Sequence, residues 1–487
     1  MIFHKRIFLS ALFIIAFCAT SLFSQAQISD DEVIIGTFLG NEKRNYYGSN
    51  PPDNLNINWK HYLGEGITII STGPDTLLWK GSGWTGQPLL IKENNELYLI
   101  QASLDHNLKK IKATTGELVW EYKFDDVLKG TGTIWENNSA KNPEDRFIIL
   151  QGSRRGNDKT MYSKIVPSFR AISYGSGKEL WRLNIRKTRS YSRDMDASPL
   201  IINDTIYTPL ENSTFVLIDL KAKFEVGRDG KNYANIIQES LLYKQQDVLK
   251  HGGNLVAESS PARINDHLYI PAGSGWVFGY DLIKKRIDWE YFIGSDIDGS
   301  PVVTGDDCIL VSIEKQYIDG NGGVIKLNPA KDPKNAVEWF FPTENVDYES
   351  WEGGVIGSAS VNDYYNKSGR KNLASFIALD GFLYLVDYSE IDNSKGQVWG
   401  PNNKMKFPTP KLLDKFDIGP SISTPIIVDN KIIAASYSGL YLFRITENYT
   451  LQLIDKITGF GFEATPIVYQ GKLYIGAKDG YLYCLGN

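Results

Sequence analysis

Residues 471–487 read GKLYIGAKDGYLYCLGN. The alternation of large apolar residues predicts two short strands, 472–476 and 481–485, joined by an Asp479-Gly480 turn. A two-stranded ribbon with an open edge is marginal in water and prone to pair with other strands. Another part of the chain must cover that edge.

The same unit recurs upstream. ELYLIQASLDHNLKKIKATTGELVW (96–120), HLYIPAGSGWVFGYDLIKKRIDW (267–289) and IIAASYSGLYLFRI (432–445) share a strand, a small-residue turn and a second strand; the first two run on to a third strand bearing Trp. Ahead of the copies stand GQPLLI, ASPLII, SSPARI, GSPVVT, STPIIV and ATPIVY, with prolines at 88, 199, 261, 301, 425 and 466. Proline suits the first residue of a strand, where its missing N–H is not needed. Two further units, roughly 132–181 and 357–399, lack the proline but keep GSGKELW and KGQVW near their ends.

Eight units of four strands predict an all-β chain folded as a single eight-bladed β-propeller, each blade's first strand lining a central channel. The last unit lacks its fourth, Trp-bearing strand, and LNINWKHYLG (55–64) has that strand's character with no blade before it. The N-terminal strand around Trp59 is therefore expected to complete the last blade and close the ring; Trp79, in TLLWKG, competes for this role.

LYIGAKDGYLYCL, TTGELVW (114–120) and GSGKELW (175–181) resemble the repeat of the PQQ-like, or quinoprotein-dehydrogenase-like, propeller superfamily across nearly the whole chain. The resemblance implies fold more than function, because that superfamily includes quinone enzymes and non-enzymatic scaffolds. The adjacent cysteine pair common in its dehydrogenases is missing, Cys308 and Cys484 lying in different blades. A calcium-binding Glu and Asn with an Asp base does not map onto the chain. No cofactor is assigned, neither PQQ nor calcium, and no catalytic or metal-ligating residue.

Residues 1–26 carry Lys5 and Arg6, an apolar run over 7–17 and small residues Ser24 and Ala26, the pattern of a cleaved export signal. Phe17 ahead of Cys18 disfavours a lipid-modified start. The expected division is signal peptide 1–26, N-terminal extension 27–54 and propeller 55–487. Beyond the signal, 50 basic residues face 57 acidic ones with no basic block, which argues against a nucleic-acid partner. No later run is long enough to span a membrane. The mature chain is expected to be exported to the periplasm, cell surface or exterior as a monomer.

In a four-stranded blade, the loop entering the innermost strand opens on the same face as the turn between the second and third strands. Three positions before the six prolines stand Thr85, Asp196, Glu258, Asp298, Ile422 and Glu463, four of them acids. Arranged radially, these carboxylates would face one another across one channel mouth; as ordinary turn chemistry, each would instead bond local backbone N–H groups. Trp84, Trp135, His251 and Trp351 lie in the same loops, and aromatic faces beside carboxylates suit sugars or cations. SDIDGS and DGNGG lack the spacing of an EF-hand. The leading expectation is a non-catalytic binding or scaffold module for a protein partner or a glycan-like ligand. The alternatives are a PQQ-dependent dehydrogenase with a degenerate site and an accessory subunit bracing another enzyme.

Overall fold

The computed structural model describes residues 31–69, 75–367 and 369–487; the signal peptide expected at 1–26 lies outside them. Eight sheets, each built on four antiparallel strands and three of them carrying one or two added strands, follow one another around an eight-bladed propeller. Each strand-marking proline is followed at once by an innermost strand: Leu89–Glu93, Leu200–Ile202, Ala262–Ile264, Val302–Val303, Ile426–Val428 and Ile467–Tyr469. The two blades without proline begin at Thr133–Glu136 and Ser360–Val361. The second and third strands are buried almost throughout, as in Phe147–Gly152 and Ile309–Ile313, because both faces of each blade pack on neighbours. The outermost strands alternate between half-buried and exposed positions.

The ring closes between its ends. Ile57–Tyr62 pairs antiparallel with Tyr481–Gly486, setting Trp59 opposite Cys484 and covering the edge of the last blade. Trp79 belongs to a separate hairpin, Glu65–Ile69 with Thr76–Lys80, where it pairs with Gly66. Trp399 also departs from expectation. It is 53% exposed, on a small hairpin of Val398–Trp399 with Lys406–Phe407, and the outer strand of blade six is Pro410–Asp417. Conserving the edge geometry of the blade took a later, longer strand than the Trp pattern suggests.

The segment read as an N-terminal extension is woven into the ring from residue 31 onward. Glu32–Ile35 pairs with the innermost strand of blade one, and Gly48–Ser49 runs parallel to that of blade eight. Between them the chain passes through the channel as a strap. Its carbonyls at Gly36, Glu42 and Lys43 accept from Ile134, Arg263 and Val303, and the Tyr47 hydroxyl accepts from the Val361 amide. At its centre Arg44 is fully buried; it donates to the carbonyls of Phe38, Ser198 and Pro261 and to the Thr37 hydroxyl. Phe38, Leu39 and Tyr47 fill the space beside it.

Candidate functional site

With the strap filling the channel, what remains at the strand-entry face is a cavity of about 730 Å³. Its floor is acidic. Asp196, Glu258 and Asp298 come from the loops entering blades three, four and five. Glu211 and Glu314 stand directly after the second strands of blades three and five, Thr205–Leu210 and Ile309–Ile313. Carboxylate oxygens of Asp196, Glu211 and Glu258 all lie within 4.8 Å of one another, and so do those of Asp296, Asp298 and Glu314. Asp194 lies behind them, paired with Arg154 at 2.9 Å.

The floor is short of positive charge. Lys129 Nζ is 2.5 Å from Asp196 and 3.9 Å from Glu258. Arg154 holds Asp194 and also donates to the Thr68 hydroxyl at 3.0 Å, with its guanidinium over the Trp79 ring. Burial is the main cause that pushes the acids upward, and their mutual repulsion adds to it. Glu258 rises to about 8 and Asp296 to about 7, while Asp196, Glu211, Asp298 and Glu314 are also raised. Lys129 is held well above its ordinary value by Asp196, Glu258 and Glu211, against the burial that lowers it. At neutral pH Glu258 holds its proton in place of a counter-charge.

The opposite wall is apolar. Trp84, Ile356, Leu379 and Ile422 form one packed cluster, with Tyr348, Trp351 and Tyr437 against it. The hairpin bearing Trp79 overhangs this side, presenting Leu77, Leu78 and Lys80 to the cavity. It is tied down by His106 and Asn157, whose side chains both bond the Ile67 carbonyl.

Of the residues expected at the mouth, Trp84, Glu258, Asp298, Trp351 and Glu463 line the cavity, and Asp196 sits beside Glu258 beneath it. Glu463 stands apart from the other acids, engaged by Lys478 and by the Tyr437 hydroxyl at 3.1 Å. Trp135 and His251 lie elsewhere. The Trp135 indole packs in the core shared by blades two and three and donates to Asp204 at 3.1 Å. His251 ends the short helix Gln245–His251; it is buried, with Nδ1 2.8 Å from the Gly273 carbonyl and its ring stacked on Tyr317 at 4.3 Å. Lys129, Glu211, Asp296 and Glu314 were not singled out in the sequence. For Glu211 and Glu314 a signal exists, since both precede the third strand in the turn that opens on the mouth.

A quinone cofactor fits these residues poorly. PQQ is a tricarboxylate, and it would meet a floor with a surplus of acids whose two cations, Lys129 and Arg154, are already engaged by Asp196 and Asp194. Such a floor has the wrong sign for that ligand.

By sequence, no family model and no curated protein matches the chain. Among solved structures it is similar to BamB from Moraxella catarrhalis, at 11% identity and a TM-score of 0.49 over 89% of this chain and 100% of that one. It is similar to the computationally designed Ika8 protein at 11% identity and a TM-score of 0.49, covering 84% and 100%. The quinohemoprotein alcohol dehydrogenase from Comamonas testosteroni gives a TM-score of 0.52 at 12% identity, over 93% of this chain and 81% of that one. At such identity the likeness shows the fold alone, an eight-bladed β-propeller.

Proposed function

We propose that the chain is an exported, non-catalytic binding module that takes its ligand in the channel mouth. The observation that carries this reading is the strap. By occupying the channel below the mouth it leaves a blind chamber of about 730 Å³, within the roughly 300–1,000 Å³ of small-molecule sites. Carboxylates on one side and aromatic faces on the other give that chamber the mixed lining that fixes a ligand's orientation. A side chain of a protein partner or the end of a glycan could enter it. Export rests on residues 1–26, and N-terminal sequencing of the secreted form should find Gln27 first.

The test is a screen of glycans and basic peptides against the whole protein and against Ile422→Trp, which fills the chamber from its apolar wall. A ligand that binds the wild type and loses at least about tenfold in affinity on Ile422→Trp supports the reading. Ligands bound equally by both proteins would place recognition on another surface and end it.

A further inference from the structure

We propose that the acidic floor seats the ammonium or guanidinium end of an amphipathic organic cation, whose apolar part lies against Trp84, Trp351, Ile356 and Ile422. This rests on the reading of the mouth as a ligand site and names the chemical class of its ligand.

The mouth is two-sided by construction. Blades three, four and five contribute the acids, while Trp84 ahead of blade one, Ile356 ahead of blade six and Ile422 ahead of blade seven contribute the apolar wall. A ligand that spans it must be charged at one end and greasy at the other.

The chain already shows how an ammonium sits there. Lys129 Nζ lies on the group formed by Asp196, Glu211 and Glu258. The neighbouring group of Asp296, Asp298 and Glu314 has no ammonium or guanidinium within ion-pair distance among the described residues. Asp296 accepts instead from neutral donors, the Asn254 side chain at 2.8 Å and the Ile297 amide at 3.0 Å. Acceptor capacity also goes unused just beneath the floor, in the group beside Lys129. Asp196 Oδ1 and Glu211 Oε1 have no hydrogen-bond partner although each residue is only 2% exposed. Buried polar atoms without partners are costly and rare. Besides Lys129 and Arg154, the groups facing the floor are the hydroxyls of Tyr191 and Tyr317, both pushed upward by burial and so neutral.

A cation entering this floor displaces protons from acids whose ionisation it favours, so binding and proton release are linked. The experiment is isothermal titration of the whole protein with tryptamine, with its neutral isostere tryptophol and with indole-3-propionate. Tryptamine should bind at least about tenfold more tightly than tryptophol, and indole-3-propionate more weakly than either. At about pH 7, the heat of tryptamine binding should vary with the buffer's ionisation enthalpy, reporting released protons. Asp298→Asn and Glu314→Gln should each cost tryptamine about tenfold and leave tryptophol within about twofold. Their melting temperatures at high pH should be unchanged or raised, because each removes charge from a crowded cluster. Equal binding of tryptamine and tryptophol would overturn the cationic class and leave the chamber as a ligand site. Calcium chloride that displaces tryptamine at a lower concentration than the tryptamine present would overturn the organic class. Failure of all three indoles to bind would overturn this inference, while the Ile422→Trp screen still judges the chamber itself.

Discussion

The indole nitrogen of Trp59 donates to the carbonyl of Ala113, 3.1 Å away across the seam between the last blade and the first. The same bond recurs between ordinary neighbours, from Trp120 to Tyr174, Trp289 to Lys331 and Trp339 to Tyr388. Under the ring of Trp59 lies Gly116, with φ +76°, where a Cβ would come within 2.7 Å of the indole; Gly177 holds the equivalent place under Trp120. The turn glycine and the Trp are thus one docking device, and it joins the two ends of the chain as it joins blades within it.

Trp59→Ala should destabilise the protein by about 2 kcal/mol, less than a fully buried Trp because the side chain is half-buried. Gly116→Val should cost a comparable amount through both clash and backbone strain. Deleting residues 55–64 should broaden the unfolding transition by opening the edge of blade eight. Urea titration followed by fluorescence reads all three, and an unchanged curve for the deletion would show that the seam does not depend on this strand.

Arg44→Met should cost on the order of 3 kcal/mol or more, since it strands the Phe38, Ser198 and Pro261 carbonyls inside the channel. Arg44→Lys should recover only part of that loss, because one ammonium cannot reproduce the planar fork of four contacts. Burial lowers the Arg44 pKa to about 9, so the group stays charged at neutral pH. Equal stability of the Lys and Arg forms would contradict the strap's role as a multi-blade tie.

Stability of the empty protein should fall as pH rises from about 5 to about 8.5. Glu258 and Asp296 titrate near 8 and 7 when folded and near their ordinary value of about 4 when unfolded. Across that window the folded state holds more protons, so raising the pH favours unfolding. Their contribution is present in full below the unfolded value and lost through the folded one. Thermal melts at stepped pH measure this, and Glu258→Gln should flatten the slope. A melting temperature that climbs from pH 5 to 8.5 would refute the crowded-acid description.

Lys129→Met should destabilise by about 3–5 kcal/mol at pH 8, where it leaves Asp196 and Glu258 buried without their ammonium. At about pH 5 Glu258 is protonated, and the loss should shrink. The difference between the two pH values is the informative quantity. A loss independent of pH would mean that packing, rather than charge, is what Lys129 supplies.

The blades were legible because each is written locally. A proline such as Pro199 fixes a strand start, and the next three elements follow within hydrogen-bonding reach along the chain. Closure by Trp59 was legible for the same reason, as a missing fourth strand and an orphan one. The strap was not, because residues 36–47 satisfy partners as distant as Pro261 and Val361, and no local pattern encodes bonds dispersed over so many blades. Trp399 misled because a Trp after a Gly-Gln pair marks the outer strand only when a neighbouring turn receives it. At the mouth, the regular offset before proline brought out Asp196, Glu258 and Asp298, but a lone lysine in a loop, Lys129, carries no spacing to notice. Trp135 and His251 share the loops' sequence character, yet their rings turn into interblade packing and onto Tyr317.

Ile57–Tyr62 meets Tyr481–Gly486 across more than four hundred intervening residues. A strand near the start of the chain therefore finds its partner only at the very end of it. Until then the first and last blades each present a raw flank, and the strap has no finished ring to thread. Contacts of such sequence separation make folding slow, because the entropy of closing the loop is lost before the contact is gained. The seam is thus a blade contact that cannot form until residues 481–486 are available to pair.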